Sequence, residues 1–411
     1  MAQFHHGIEL IRSYLGPKVV RTVSTAVIGL VGTAPTHLVS EAPSRATNTP
    51  ILITSEEDAA RYFGPDTPGF TIPAALRAIF RQGQGTIFVV NVFDPDRHAI
   101  DSQPDPACVT AADILANVDV AGRRTGLGAL HDCRATYGFG PKQLICPVYT
   151  GLDGVIADLD VMAQKLRAFA WADAPGGLRP DQAIAARGGE GVLNFASKHL
   201  GICYPHVKTV NAAGDTVLQG MSAFVAGAQA AKDADRGFWH SVSNTVLQGV
   251  SGLERPIHVD TMNAGCEGDL LNAAGLITCY NDFGTGFRTW GNRSTIFPGS
   301  SDVDNFIAVQ RSAMIIEDSI SAFSVQYIDR PITDGLIDQL LMDVNAYLDD
   351  LVGMGASLQG AKAWYDPDKN PSQNRADGKL RICYKFLPPS PMELLIYESF
   401  LDTNLASGRT L

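Results

Sequence analysis

Oxygen-bearing residues at alternate positions first suggest a cation site. Asp366-Pro-Asp368-Lys-Asn370 begins as a calcium loop begins, with side-chain oxygens at the first, third and fifth places. The sixth place is Pro371, where the turn needs glycine. The twelfth is Asp377, where a bidentate glutamate would complete the shell. The stretch reads as a hairpin loop, and no metal is expected. Gly126-Leu-Gly128-Ala-Leu-His131 lacks the third glycine of a dinucleotide loop, and no buried strand leads into it. Gly188-Gly189-Glu190-Gly191 lacks the lysine of a P-loop and reads as a helix interruption. The nine histidines include no H-E-x-x-H and no H-x-H pair. His5-His6 suits a polar strand edge, and His240 beside Trp239 is better read as packed than as catalytic. No G-x-S-x-G elbow occurs, and no spacing assembles a Ser-His-Asp triad. The chain is expected to have no catalytic residue and no cofactor.

Composition narrows the class further. At 411 residues the chain exceeds one ordinary core, so two or three domains are expected. Lys and Arg number 32 against 43 Asp and Glu, a formal charge of −11. A nucleic-acid binder needs a basic face, so that partner is not expected. Cysteines at 108, 133, 146, 203, 266, 279 and 383 are odd in number and form no C-x-x-C, which predicts buried free thiols and a reducing site of synthesis. Residues 1–7 lack the pattern of a secretory leader, and no apolar run approaches the ~20 residues a membrane span needs. No membrane partner is expected.

Hydrophobic patterning supplies the elements. Residues 26–33 and 86–93 are continuous apolar runs, as in strands buried on both faces. Strands at 51–53, 144–148, 170–172 and 200–204 alternate with helices from Ser55 and within 71–82, 152–169 and 181–197, followed by an Ala-rich helix at 221–233. Ser55 is placed to cap its helix three residues before Asp58. Residues 207–218 read as a hairpin turning at Gly214-Asp215. Two long helices follow at 303–324 and 332–353, the second with Asp334, Asp338 and Asp349 opposite its apolar stripe. A strand at 361–365 precedes one at 379–386, where Leu380, Ile382, Tyr384 and Phe386 face one way and Lys379, Arg381, Cys383 and Lys385 the other. Two segments lack a local partner. Residues 7–12 have strand character but are cut off by Gly16-Pro17, and 392–401 reads as a strand apolar on both faces behind Pro388, Pro389 and Pro391. A lone strand cannot bury its own faces, so each must join a sheet edge of this subunit or of a neighbour. The expected division is an arm at 1–22, an outer α/β region at 23–255 (divisible at 105/106), an inner α+β region at 256–387 and an arm at 388–411.

The stretch 236–295 draws the chain together. It reads Gly-Phe238-Trp239-His-Ser-Val-Ser-Asn244, continues through Arg255-Pro256 and Leu270-Leu-Asn272-Ala-Ala274, and ends Trp290-Gly-Asn292-Arg293. Large aromatics anchor both ends, and glycines permit close backbone approach. This pattern of G-F-W-x-S-x-S-N, R-P, L-L-N-x-A and W-G-N-R resembles the tail sheath proteins of contractile phage tails and R-type pyocins. The resemblance covers nearly the whole chain.

The resemblance implies a structural protein of the virion tail, made in the host cytoplasm. It implies stacked rings of six subunits around a tail tube, with tube, baseplate and tail terminator proteins as partners, and contraction that drives the tube through the host envelope. It implies an α/β outer region plus an α+β inner domain whose mixed or antiparallel sheet is completed by terminal arm strands. The donated strands would carry Ile8, Leu10 and Arg12 at one end and Leu394, Ile396 and Phe400 at the other. The acceptor sheet would hold Trp364, Leu380, Ile382 and Tyr384. Tube contact would fall on the helix at 303–324 or at 332–353, with Asp334 and Asp338 as candidates on the latter. The alternative reading is an α/β ligand-binding protein or enzyme with an added C-terminal domain. Such sheets bind ligands at the carboxyl ends of their strands, where no phosphate loop or charged constellation converges in this sequence.

Overall fold

The computed structural model describes residues 20–39, 47–83, 85–281 and 284–403. Ile8, Leu10 and Arg12, expected on a donated strand, lie outside these residues. The chain divides into two units, Ser24–Ser312 with Ser390–Leu411, and Met1–Val23 with Ala313–Pro389.

The larger unit is built on a mostly parallel sheet. Its strands are Val27–Gly32 (β1), Pro50–Ile53 (β2), Thr86–Asn91 (β3), Gln143–Ile145 (β4), Phe169–Asp173 (β5) and Leu200–Cys203 (β6). A small antiparallel sheet of Val207–Val210 (β7), Thr216–Gln219 (β8) and Val250–Leu253 (β9) follows. Leu276–Asn281 (β10) and Phe287–Trp290 (β11) then return to the large sheet, whose order is β11-β10-β6-β5-β4-β1-β3-β2. Pairing is parallel from β10 through to β3, and antiparallel at the two edges. The continuous apolar runs follow from this position: β1 and β5 are buried at every residue.

Helices Glu56–Phe63 (α1), Ile72–Phe80 (α2), Val155–Leu166 (α3), Pro180–Arg187 (α4), Ser222–Arg236 (α5) and Glu267–Ala273 (α6) accompany the sheet. Ser55 caps α1, its Oγ accepting the Asp58 N–H at 3.1 Å. The helix expected over 181–197 stops at Arg187. Three glycines follow, and at Gly191 the chain folds back so closely that a Cβ would lie 2.1 Å from the Ala186 carbonyl oxygen. The inner region was expected to begin at 256. Residues 256–312 instead belong with the large sheet, because β10 pairs with β6 and β11 pairs with β10.

The smaller unit takes the last two-thirds of Ile307–Ser324 (α7), in which the division between the units falls, and all of Asp334–Met354 (α8). Thr333 caps α8 by accepting the Leu336 N–H at 3.2 Å, and Gly355 ends it at φ +81°. Lys362–Tyr365 (β12) and Ile382–Lys385 (β13) pair antiparallel, with Ala363 opposite Tyr384 and Trp364 opposite Cys383. Asn345 of α8 holds the hairpin: its side chain accepts the Ala363 N–H at 2.8 Å and donates to the Ala363 carbonyl at 3.0 Å. The loop that resembled a calcium site performs the same service. Asn370 accepts the Arg381 N–H and donates to the Arg381 carbonyl, each at 2.8 Å.

Residues 392–401, read from the sequence as a strand, form none. They carry no regular secondary structure and pair with no backbone among the described residues. Leu394, Ile396 and Phe400 are 76%, 78% and 80% exposed. The apolar pattern that signals a strand is present, but a ladder needs an edge, and this segment lies against none among the described residues.

Candidate assembly surfaces

The motif residues form a staple along the β11 edge of the large sheet. Gly237 ends α5 at φ +104°, and the Trp239 ring folds back over it, so that a Cβ there would lie 2.4 Å from the indole. Phe238 is buried and meets Trp239 edge-on at 5.2 Å. We expect Gly237→Ala to lower stability by about 1–3 kcal/mol, through the left-handed backbone and the displaced indole; an unchanged denaturation midpoint would contradict this. Asn244, at φ +57°, donates its N–H to the Thr289 carbonyl at 2.7 Å, and its side-chain oxygen accepts from Arg288 at 3.3 Å. The Thr289 hydroxyl donates to the Val242 carbonyl at 2.5 Å, and the Leu247 N–H donates to the Phe287 carbonyl at 2.8 Å. Residues 242–247 thereby cover an otherwise open edge. Trp290 packs edge-on against Tyr280 at 5.3 Å. The Asn272 amide donates to the Trp290 carbonyl at 3.0 Å and accepts from the Trp290 indole at 3.2 Å. Arg255 donates to the Gly177 carbonyl at 3.2 Å, tying down the loop after β5.

The last motif residue reaches the C-terminal arm. The Arg293 guanidinium lies over the Phe306 ring at 3.7 Å and the Phe297 ring at 4.9 Å. It donates to Glu393 through Nε at 3.0 Å and Nη2 at 2.5 Å, a bidentate pair, and to the Asn305 side chain. The Asn292 carbonyl accepts the Ile307 N–H at 2.9 Å, opening α7. Sequence spacing could not show that Arg293 and Glu393 meet.

Two further polar features escaped the sequence reading. Arg311 and Asp233 pair in a site where their side chains are 1% and 0% exposed, at 2.5 and 3.2 Å, with Gln229 donating to the same carboxylate at 2.7 Å. Asp173, at the carboxyl end of β5, borders a groove of about 460 Å³ with Thr150 and His206. This is where the ligand-binding alternative would place its site. Burial pushes the Asp173 carboxyl up. Its oxygens are already engaged, accepting the Ser222 N–H at 2.7 Å and the Ser222 hydroxyl at 2.5 Å, so it holds the start of α5. Five of the seven cysteines are buried, and burial pushes the Cys133 and Cys279 thiols up to about 12, which leaves them unreactive.

In the smaller unit, the residues expected on an acceptor sheet divide between two faces. Leu380, Ile382 and Tyr384 line an apolar groove of about 960 Å³ with Ile320, Leu336 and Leu340. Trp364 lies on the opposite face of the hairpin and is 36% exposed. The sheet has only two strands; Asn345 occupies the outer edge of β12 at Ala363, and the outer edge of β13 is unpaired among the described residues. On α8, Asp334 is paired with Arg375 at 2.5 Å, whereas Asp338 is exposed.

Residues 109–295 match the central domain of phage tail sheath proteins. The tail sheath protein of Burkholderia phage BcepMu is 37% identical to this chain, over 97% of both. The chain belongs to the phage tail sheath family. A putative prophage major tail sheath protein of Pseudomonas aeruginosa is 31% identical over 95% of this chain and 94% of its own. The sheath of an extracellular contractile injection system, solved in the contracted state, shares the fold with a TM-score of 0.70 at 17% identity, covering 98% of this chain and 99% of that one. The match to the central sheath domain lies wholly within the larger unit and includes the staple from Phe238 to Arg293. As a contractile tail sheath protein the chain is structural, and its surfaces matter more than any cleft.

Proposed function

We propose that this sheath protein polymerises as stacked rings of six subunits around a tail tube in the virion. Contraction of that polymer, triggered at the baseplate, drives the tube through the host envelope, and a terminator protein caps it at the far end. The observation that carries the reading is the segment 392–401, a run of exposed apolar side chains with no regular structure in the larger unit. Such a run is an aggregation hazard unless it has a destination. The hairpin β12–β13, whose β13 edge is open beside an apolar groove, is the matching acceptor. Strand addition there would bury Leu394, Ile396 and Phe400, with main-chain hydrogen bonds setting the register. The N-terminal arm, through Ile8, Leu10 and Arg12, would join another neighbour in the same way. Donation from one copy to the next is head-to-tail, and head-to-tail contacts close into rings or continue as helices. The outer α/β region stays exposed and gains neighbours as subunits rotate as rigid bodies on their arms. One of the helices at 303–324 or 332–353 faces the tube.

Deleting residues 1–15 is expected to give folded monomers that form no tubes. Negative-stain electron microscopy and sedimentation of the purified chain read this directly. Tubes of normal length from the truncated chain would overturn the arm assignment.

A further inference from the structure

The outward face of the β12–β13 hairpin is unusual for a chain of net charge −11. The register places Lys362 directly opposite Lys385, and both are exposed. Like charges opposite each other on one face repel. Arg381 extends the same face, two residues before Cys383. Neighbouring Lys369 and Lys379 are paired with Asp366 and Asp377, at 3.4 and 3.8 Å. No ion pair engages Lys362, Arg381 or Lys385 among the described residues. Between the cations lies the half-exposed Trp364. A tryptophan framed by unpaired cations is the composition of a binding hot spot.

The complementary surface is on α8. Helical spacing brings Asp338, Met342, Asp349 and Asp350 onto its exposed side, and the helix contains no Lys or Arg. Asp343 is turned inward, accepting the Tyr327 hydroxyl at 2.6 Å. Met342, 60% exposed, sits amid the carboxylates as Trp364 sits amid the cations. The dimensions agree: Asp338 to Asp349 spans about 16 Å of helix, and Arg381 to Lys385 about 13 Å of strand. The two surfaces cannot meet within one chain, because the hairpin turns its other face to α8, with Ile382 and Tyr384 lining the groove beside Leu336 and Leu340.

We propose that the basic face of the β12–β13 hairpin docks the acidic face of α8 from a second copy of the chain, with Trp364 against Met342. The assignment rests on the self-assembly reading and deepens it. The contact joins two different surfaces, so it propagates from copy to copy.

The test uses the full chain. Assemblies are formed from equal amounts of 15N-labelled and unlabelled protein and treated with a carbodiimide, which joins lysines to touching carboxylates. Lys362 or Lys385 is expected to link to Asp338, Asp349 or Asp350 across the isotope boundary. The double variants K362E/K385E and D338K/D349K, each checked for folding by circular dichroism, are expected to lower the sedimenting fraction at least tenfold, and a mixture of the two to recover it. Cross-links that avoid α8, or variants that assemble as the parent does, overturn the pairing and leave the sheath reading intact. Loss confined to K362E/K385E also overturns it, since the basic face then serves another acidic partner. A parent chain that stays monomeric with and without a tube overturns the sheath reading, and this pairing with it.

Discussion

Exchanging Arg311 for methionine is expected to destabilise the larger unit by about 3–5 kcal/mol, the usual result of removing one partner from a buried ion pair. Arg311 and Asp233 are essentially without solvent, and their contact is bidentate. Burial pushes the Asp233 carboxyl up, and Arg311 with Gln229 offsets only part of that rise. Methionine would leave that carboxylate with a single amide donor, so it must either take a proton or draw in water. The companion variant separates charge from packing. D233L/R311M removes both charges and is expected to recover most of the loss, because an apolar pair of similar volume is often neutral or better. Urea denaturation monitored by tryptophan fluorescence gives the comparison. R311M with a parental midpoint would refute the argument, and so would a double variant as weak as the single one.

The second large effect concerns assembly and leaves folding untouched. A chain ending after Glu393 is expected to melt as the full chain does, because Leu394, Ile396 and Phe400 bury almost nothing in the monomer. Keeping Glu393 preserves the Arg293 pair. Polymer formation should nevertheless collapse. Burying each of those three side chains on a neighbour is worth about 1.5–3 kcal/mol, and a tenfold change in binding needs only about 1.4 kcal/mol. Sedimentation of matched concentrations would show pellet for the full chain and none for the shortened one. A shortened chain that pellets normally would mean that the exposed arm carries no assembly contact.

The alternation of apolar runs with amphipathic stretches was enough to read the α/β layering of the larger unit, since a strand buried on both faces has few other patterns. Helices α7 and α8 were legible for the same reason: their stripes run for many turns. Three features were not. The β10–β11 hairpin was hidden inside a motif rich in glycine, although Leu276-Ile-Thr-Cys-Tyr280 has the apolar density of a strand. The segment 392–401 has the pattern of a strand, but pattern reports side-chain preference and says nothing of whether an edge is within reach. The Arg311 pair had a faint signal, because Arg311 falls on the apolar stripe of its helix with Ala308 and Ile315. A cation in that position asks for a buried carboxylate. Which of 43 acidic residues supplies it depends on the fold. The arm anchor at Glu393 is of the same kind.

That anchor fixes the length of a leash. With Glu393 clamped onto Arg293, Phe400 is seven residues away and can travel no more than about 25 Å from the clamp, even fully stretched. In the proposed polymer this sets a ceiling on how far one subunit can drift from the neighbour that holds its arm. Opening the clamp would return residues 390–393 to the leash and raise the ceiling by about 13 Å. A single ion pair seated on two aromatic rings therefore meters the slack in the lattice, and its strength decides whether a pull along the tail stretches the arm or unpicks its root.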